Sequence, residues 1–272
     1  MNSLTLSSGR SIPCLGYGCY NAFGEEITRA VEAALRAGYR YIDSAEYYKN
    51  EPEIGPAIGA FSGDREELFV LSKAWPSSFD HMEEACTRSI RNLQADYLDA
   101  YLLHWPGTNT DRRLAAYEQL LRLAEKGLVR SPGVSNFTIE QLEQIRAEFG
   151  AYPAIQEIEC HPSFHPSEMI RWCQERGIQV ISYEPINRGR DLNLPAVTAL
   201  AEKYGRTPAQ IVLRWHVQRD QLPIPKSSRE ERILENISVF DFELLPEELA
   251  MIDREDTGVR SGLDPSVFPP GF

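Results

Sequence analysis

"EEITRAVEAALRAGYRYIDS", residues 25–44, carries in one stretch the two periodicities that decide this fold. Ile27, Val31, Ala34 and Leu35 recur at helical spacing and predict one buried helix face. Gly38 then supplies the left-handed residue at which a helix stops. "YRYIDS" at 39–44 follows at once as a short apolar strand running into Asp43. The same unit recurs along the chain. Further strand candidates are "CLGYG" at 14–18, "ELFVLSK" at 67–73, "LDAYLLHW" at 98–105 and "GVSN" at 133–136. "AIQEIE" at 154–159, "IQVISYE" at 178–184 and "LPIPKS" at 222–227 complete a set of eight. Amphipathic stretches such as "HMEEACTRSIRNLQ" lie between them, and Gly127 and Gly177 repeat the stop signal. Such alternation predicts an α/β chain whose eight parallel strands close into a (β/α)8 barrel of the TIM type. "LTLSSGRSIP" at 4–13 adds an N-terminal β-hairpin turning at Ser8-Gly9, and "GLDPSVFPPGF" reads as a C-terminal loop tail. No linker or low-complexity segment divides residues 1–272, which are expected to form a single domain.

The length of 272 residues suits one such barrel, and 42% hydrophobic with 25% charged residues is ordinary globular composition. A net charge of −12 and the lack of a basic run argue against nucleic acid, and an anionic ligand would need a local cationic pocket. The five scattered cysteines show no C-x-x-C and fit reduced thiols in a cytoplasmic protein. "MNSLTLSSGR" lacks the features of a signal peptide, and no apolar run reaches bilayer length, so no membrane partner is expected.

Barrels of this type do their chemistry at the C-terminal ends of the strands. Here those ends read Gly18-Cys19, Asp43, Lys73, His104, Ser135-Asn136, Glu157 with Glu159, Tyr183-Glu184 and Lys226-Ser227. A polar residue thus closes nearly every apolar run. Asp43, Lys73 and His104 end successive strands and should converge, with Asp43 supplying the partner a buried Lys73 needs. The loop after Asp43 brings Tyr47 and Tyr48 to the same rim, and spacing does not choose between them. A phenol beside an ammonium is expected to have its pKa drawn down from about 10, so that it can exchange a proton with a carbonyl or alcohol oxygen. A neutral His104 opposite would orient that oxygen. Lys226 and Arg232 flank the start of a helix where Ser227 or Ser228 with Glu230 or Glu231 has capping-box spacing. Helix amides with two cations make an anion site.

"GYRYIDSAEYYKNEPEIG" at 38–55, "VLSKAWP" around Lys73, "YLLHWP" at 101–106, "GVSNF" at 133–137 and "IPKSSREERILEN" at 224–236 together resemble the aldo-keto reductase family, in the family's order. The resemblance runs from residue 4 to about 260. It implies transfer of hydride from NADPH to an aldehyde or ketone, a small-molecule carbonyl. Tyr48 would be the proton donor, Asp43 and Lys73 its supports, and His104 the substrate-orienting histidine. Ser135, Asn136 and Glu157 would hold the nicotinamide carboxamide, and Tyr183 would stack on the ring. Gly18, Cys19, Glu184 and Arg188 would lie along the cofactor. Lys226, Ser227, Arg232, Glu235 and Asn236 would take the adenosine end and its 2′-phosphate. Tyr20, Trp75 and Trp105 would wall the substrate pocket. The protein is expected to bind NADPH/NADP+ without a metal and to act as a monomer.

Several positions depart from the family pattern. "QEIECHP" places Gln156 and Glu157 where Asn and Gln are expected, and "YEPI" puts Glu184 near the pyrophosphate path. Glu157 is expected to be ionised, held by Lys73, and Arg188 and Arg190 are expected to offset Glu184. Pro132 is expected to sit at a strand start, where a missing donor is tolerated. Cys160, His161 and His165 lie close together in "CHPSFH", but no fourth ligand is spaced for a metal. Two other functions compete: a non-enzymatic NADP(H)-binding or sensor protein on the same fold, suggested by the altered cradle, and a glycoside hydrolase using Glu157, Glu159 or Glu184.

Overall fold

The structure, a computed structural model, describes residues 2–267. The chain opens with an antiparallel hairpin of β1 (Ser3–Thr5) and β2 (Ser11–Pro13), with Leu4 opposite Ile12 and Gly9 at φ +83° in the turn. The barrel strands follow as β3 (Tyr17–Gly18), β4 (Tyr41–Asp43), β5 (Phe69–Ala74), β6 (Leu98–Leu103), β7 (Val129–Ser135), β8 (Ile155–Glu159), β9 (Gln179–Tyr183) and β10 (Leu222–Pro223). They pair in parallel and in chain order. The ring closes through the backbone: Gly16 N–H donates to Pro223 O at 3.0 Å and Gly18 N–H to Pro225 O at 3.1 Å. A side chain would block that closure. A Cβ on Gly16 would lie 2.4 Å from the Tyr41 ring, and one on Gly18 2.6 Å from Ile224 O.

Strand alternation sorts the side chains into two cores. Tyr41, Phe69, Leu71, Ala100, Leu102, Ile155, Ile181, Leu222 and Ile224 point into the barrel, where the hairpin's Leu6 and Ile12 pack with them and cover its N-terminal end. Ile42, Val70, Leu103, Val134 and Val180 point outward against the helices, among them Ile27, Val31, Ala34 and Leu35 of the helix Gly24–Ala37. Gly38, Gly127 and Gly177 are all left-handed, at φ +101°, +76° and +70°. The periodicity therefore lands as read. Above the apolar floor, the next inward position on β4 to β9 is Asp43, Lys73, His104, Ser135, Glu157 and Tyr183 in turn. One period separates core from site.

Three details differ from the sequence reading. Pro132 is not at a strand start but inside β7, paired with Tyr101. Its carbonyl accepts from Ala154 N at 3.0 Å, and its missing donor faces the stretch before Ile155, where β8 has not begun, so no ladder bond is lost. Two helices rather than one follow β9 (Pro195–Tyr204 and Pro208–Val217), and two follow β10 (Glu230–Ile237 and Pro246–Asp253). The tail contains a short 3-10 turn, Pro265–Val267; residues 268–272 lie outside the described residues. Among the described residues no helix is long and apolar enough to cross a membrane.

Candidate active site

Lys73 stands at the centre of the C-terminal mouth, fully buried. Its Nζ lies 2.5 Å from Asp43 Oδ1, 3.0 Å from Ser44 O and 3.2 Å from Glu157 Oε1. Burial alone would lower the ammonium pKa, but Asp43 and Glu157 outweigh it and raise the value. The Tyr41 hydroxyl, two residues before Asp43 on the same face, donates to Asp43 Oδ2 at 2.8 Å.

The loop after β4 separates the two tyrosines. Tyr47 is 45% exposed and stacks on Trp75, with ring centroids 4.0 Å apart. Tyr48 turns inward, its ring centroid 5.3 Å from Lys73 Nζ and 5.5 Å from the His104 ring. The loop is pinned from several sides. Asn50 Nδ2 donates to Cys19 O and Ala22 O, Ser44 donates to Asn50, and Glu46 accepts from Trp75 N. Buried Glu51 accepts from Ser72 at 2.6 Å. Sequence reasoning passed over Tyr41, Ser44, Glu46, Asn50 and Glu51, although the first signature contained them all. Tyr41 was the legible one, because it shares the strand face of Asp43.

The electrostatics depart from expectation at two residues. Burial pushes the Tyr48 phenol up; Lys73 pulls it down, but Glu157 and Asp43 offset that pull, and the net shift is upward rather than toward neutrality. Burial, then Asp43, raises the Glu157 carboxyl to about 8, so its surroundings oppose ionisation more than Lys73 favours it. Lys73 cannot ionise both neighbours. His104 is held neutral: burial and then the Lys73 charge push its pKa well below the usual range.

Opposite this cluster, Asn136 adopts φ +63° just after β7. Its Nδ2 donates to His104 O at 3.2 Å and to Ser135 Oγ at 3.0 Å, while Tyr183 donates its hydroxyl to Asn136 Oδ1 at 2.8 Å. Glu157 Oε2 is buried without a hydrogen-bond partner. Gln156, one residue earlier, faces the other way and donates to Phe137 O at 2.7 Å. Tyr20 is 48% exposed with its ring 5.0 Å from Tyr48, and Trp75 lies edge-on to His104 at 5.1 Å. These rings border one side of the mouth. Trp105 is buried, at 9% exposure.

Along the rim, Gly18 and buried Cys19 pass under Pro225 and Asp43, with Cys19 N–H donating to Asp43 O at 3.0 Å. Glu184, at φ +51°, accepts from Arg188 at 2.5 and 2.9 Å and from Ser261 Oγ at 2.8 Å. Arg188 thus offsets Glu184 as expected; Arg190 is exposed and forms no ion pair among the described residues. The capping box read around residues 227–231 does not form. Arg229 is the N-cap of Glu230–Ile237, and Ser227 Oγ instead accepts from Arg229 N at 3.2 Å within the preceding turn. Lys226, Arg229 and Arg232 are exposed and without an ion pair among the described residues. Glu235 accepts from Thr207 at 2.7 Å, and Asn236 is buried.

Cys160, His161 and His165 turn to different partners. Cys160 faces Gln221, His165 also meets Gln221, and His161 sits between Glu159 and Asp191 at 3.2 and 3.0 Å. Glu159 additionally accepts from Ser261 N at 2.6 Å and Gly262 N at 3.2 Å, which fastens the C-terminal segment across the rim.

A profile described as "Aldo/keto reductase family" matches residues 15–256. Methylglyoxal reductase DkgA of Escherichia coli (strain K12) is 40% identical over 267 residues, 97% of each chain. A crystal structure of an aldo/keto reductase from Brucella melitensis superposes with a TM-score of 0.90 at 36% identity, covering 94% of this chain and 99% of that one. A Gox0644 mutant solved in complex with NADPH superposes at 0.94 with 33% identity and covers 98% of both chains. With sequence, fold and the order of the motifs in agreement over almost the whole length, the chain belongs to the aldo/keto reductase family.

Proposed function

We propose that this protein reduces an aldehyde or ketone to an alcohol with NADPH, and that Tyr48 supplies the proton. The observation that carries the reading is the convergence of a buried, paired ammonium at Lys73, an inward phenol at Tyr48 and a neutral imidazole at His104 on one end of the barrel. The residues fit the cofactor: three exposed cations at 226, 229 and 232 await an anion, and a buried Glu157 oxygen is left without a hydrogen-bond partner. Bound NADPH supplies the hydride. Ser135, Asn136 and Glu157 would face the carboxamide, Tyr183 the ring, Arg188 and Glu184 the pyrophosphate path, and Lys226 with Arg232 the 2′-phosphate.

His104 fixes the carbonyl oxygen within reach of Tyr48. As the carbonyl carbon gains its new C–H bond, the Tyr48 O–H bond breaks and the proton passes to the oxygen. The phenolate left behind faces Lys73, whose charge stabilises it until solvent returns the proton. Tyr20, Tyr47 and Trp75 narrow the entrance. The hydrolase reading loses support because Glu159 and Glu184 are already saturated by Ser261, Gly262, His161 and Arg188. Five buried free thiols support a cytoplasmic setting. The test is consumption of NADPH, followed by its absorbance, with an aromatic aldehyde, beside a chromogenic glycoside. Turnover of the aldehyde alone supports the proposal. Tight NADPH binding without turnover of any aldehyde or ketone would leave the sensor reading in its place.

A further inference from the structure

Lys73 sits between two carboxyl groups where charge balance requires one. Its Nζ is 2.5 Å from Asp43 and 3.2 Å from Glu157, and none of the three side chains is more than 1% exposed. The groups facing Glu157 are Asp43 and Tyr41 of β4, Tyr48 of the following loop, Lys73 of β5 and Tyr183 of β9. From β7 it meets only the uncharged Ser135 and Asn136. Cys19 lies within electrostatic reach of Asp43 and Lys73, and His104 within reach of Lys73. Lys73 is the one cation in this set. An ionised Asp43 already cancels it, so ionising Glu157 leaves one uncompensated negative charge beside Tyr48. That charge opposes phenolate formation.

We propose that Glu157 is a positioning residue acting through Lys73: when ionised, it shares the ammonium with Asp43, holds Tyr48 in its acid form and biases the site toward carbonyl reduction over alcohol oxidation. The inference rests on Tyr48 being the proton donor. Reduction consumes the phenol, whereas oxidation of an alcohol needs the phenolate as base. Burial raises the Glu157 pKa, so the bias grows as pH rises and Glu157 ionises, where a phenol would otherwise begin to ionise too.

The experiment places 3,5-difluorotyrosine at position 48 of the full-length, cofactor-free protein, because its more acidic phenol titrates within a mild pH range. Fluorine NMR follows the titration in the parent and in Glu157→Gln. The expected result is a midpoint about one pH unit lower in Glu157→Gln, with Glu157→Asp, which keeps the charge, near the parent. With natural tyrosine, alcohol oxidation by Glu157→Gln should be about tenfold faster at a fixed alkaline pH below both midpoints. An unchanged or higher midpoint in Glu157→Gln overturns the proposal. If Glu157→Gln does not fold, the parent decides: its fluorine signal must shift in step with the Glu157 carboxyl, and no such step overturns the proposal equally. Retained reduction in Tyr48→Phe would instead overturn the choice of proton donor, leaving the fluorine result intact.

Discussion

Replacing Asp43 by Asn removes one carboxylate from Lys73 and leaves Glu157 3.2 Å from the ammonium. At an effective dielectric near 20, Coulomb's law gives about 6.6 kcal/mol for a pair at 2.5 Å and about 5.2 kcal/mol at 3.2 Å, as gross attractions before desolvation. Glu157 therefore retains roughly four-fifths of the attraction, provided it gives up the proton that Asp43 helps it keep. Asp43→Asn is expected to destabilise the fold by only about 1–2 kcal/mol, and Glu157→Gln by less than about 1 kcal/mol at neutral pH. The double variant strands a fully buried ammonium, and the loss should reach about 3–5 kcal/mol. Urea unfolding at neutral pH, treated as a double-mutant cycle, reads the coupling directly. Additive losses would refute the reasoning, as would an Asp43→Asn loss as large as that of the double variant. The pH dependence supplies a second check. The Glu157 pKa is raised on folding, so its stabilising contribution is complete below the ordinary carboxylate range and is lost as pH climbs through about 8. The parent should lose up to about 1.4 kcal/mol per pH unit in that interval, and Glu157→Gln should show a flatter profile.

Tyr48→Phe should lower reduction by about 10²- to 10⁴-fold while NADPH affinity, measured by fluorescence titration, stays within about twofold, because the phenol acts only on the oxygen that gains charge in the transition state. Arg232→Ala should weaken NADPH by about ten- to a hundredfold and leave NADH unchanged, since the contact expected there is to the 2′-phosphate; equal losses for both would remove that assignment. His161, which burial would make less basic, is raised to about 9 by Asp191 and Glu159, and those carboxyls fall to about 2. The histidine's contribution is therefore present below its ordinary range and lost as pH rises through about 9; that of the carboxylates is present above their ordinary range and lost as pH falls through about 2. Between those limits His161→Asn should speed hydrogen exchange at the amides of Ser261 and Gly262, which Glu159 holds; unchanged exchange would show that the segment is fastened elsewhere.

Strand and helix periods, read along the chain, were enough for the barrel, because alternation in a strand and the 3.6-residue repeat of a helix are local properties of backbone geometry. They also placed Asp43, Lys73 and His104, since each is simply the next inward residue after an apolar one. What lay beyond the sequence was set by distances between residues far apart in it. Pro132 could be tolerated mid-strand only because β8 starts late beside it. The serine cap gave way to Arg229 because the chain leaving β10 turns through Ser227 before the helix begins. Spacing left Tyr47 and Tyr48 equivalent; the tertiary structure stacks the first on Trp75 and turns the second toward Lys73. The pKa of Glu157 moves upward, against its sequence reading, for the same reason. Charge in a buried site depends on how many neighbours compete for one ammonium, and that count exists only once β4, β5 and β8 have come together around Lys73.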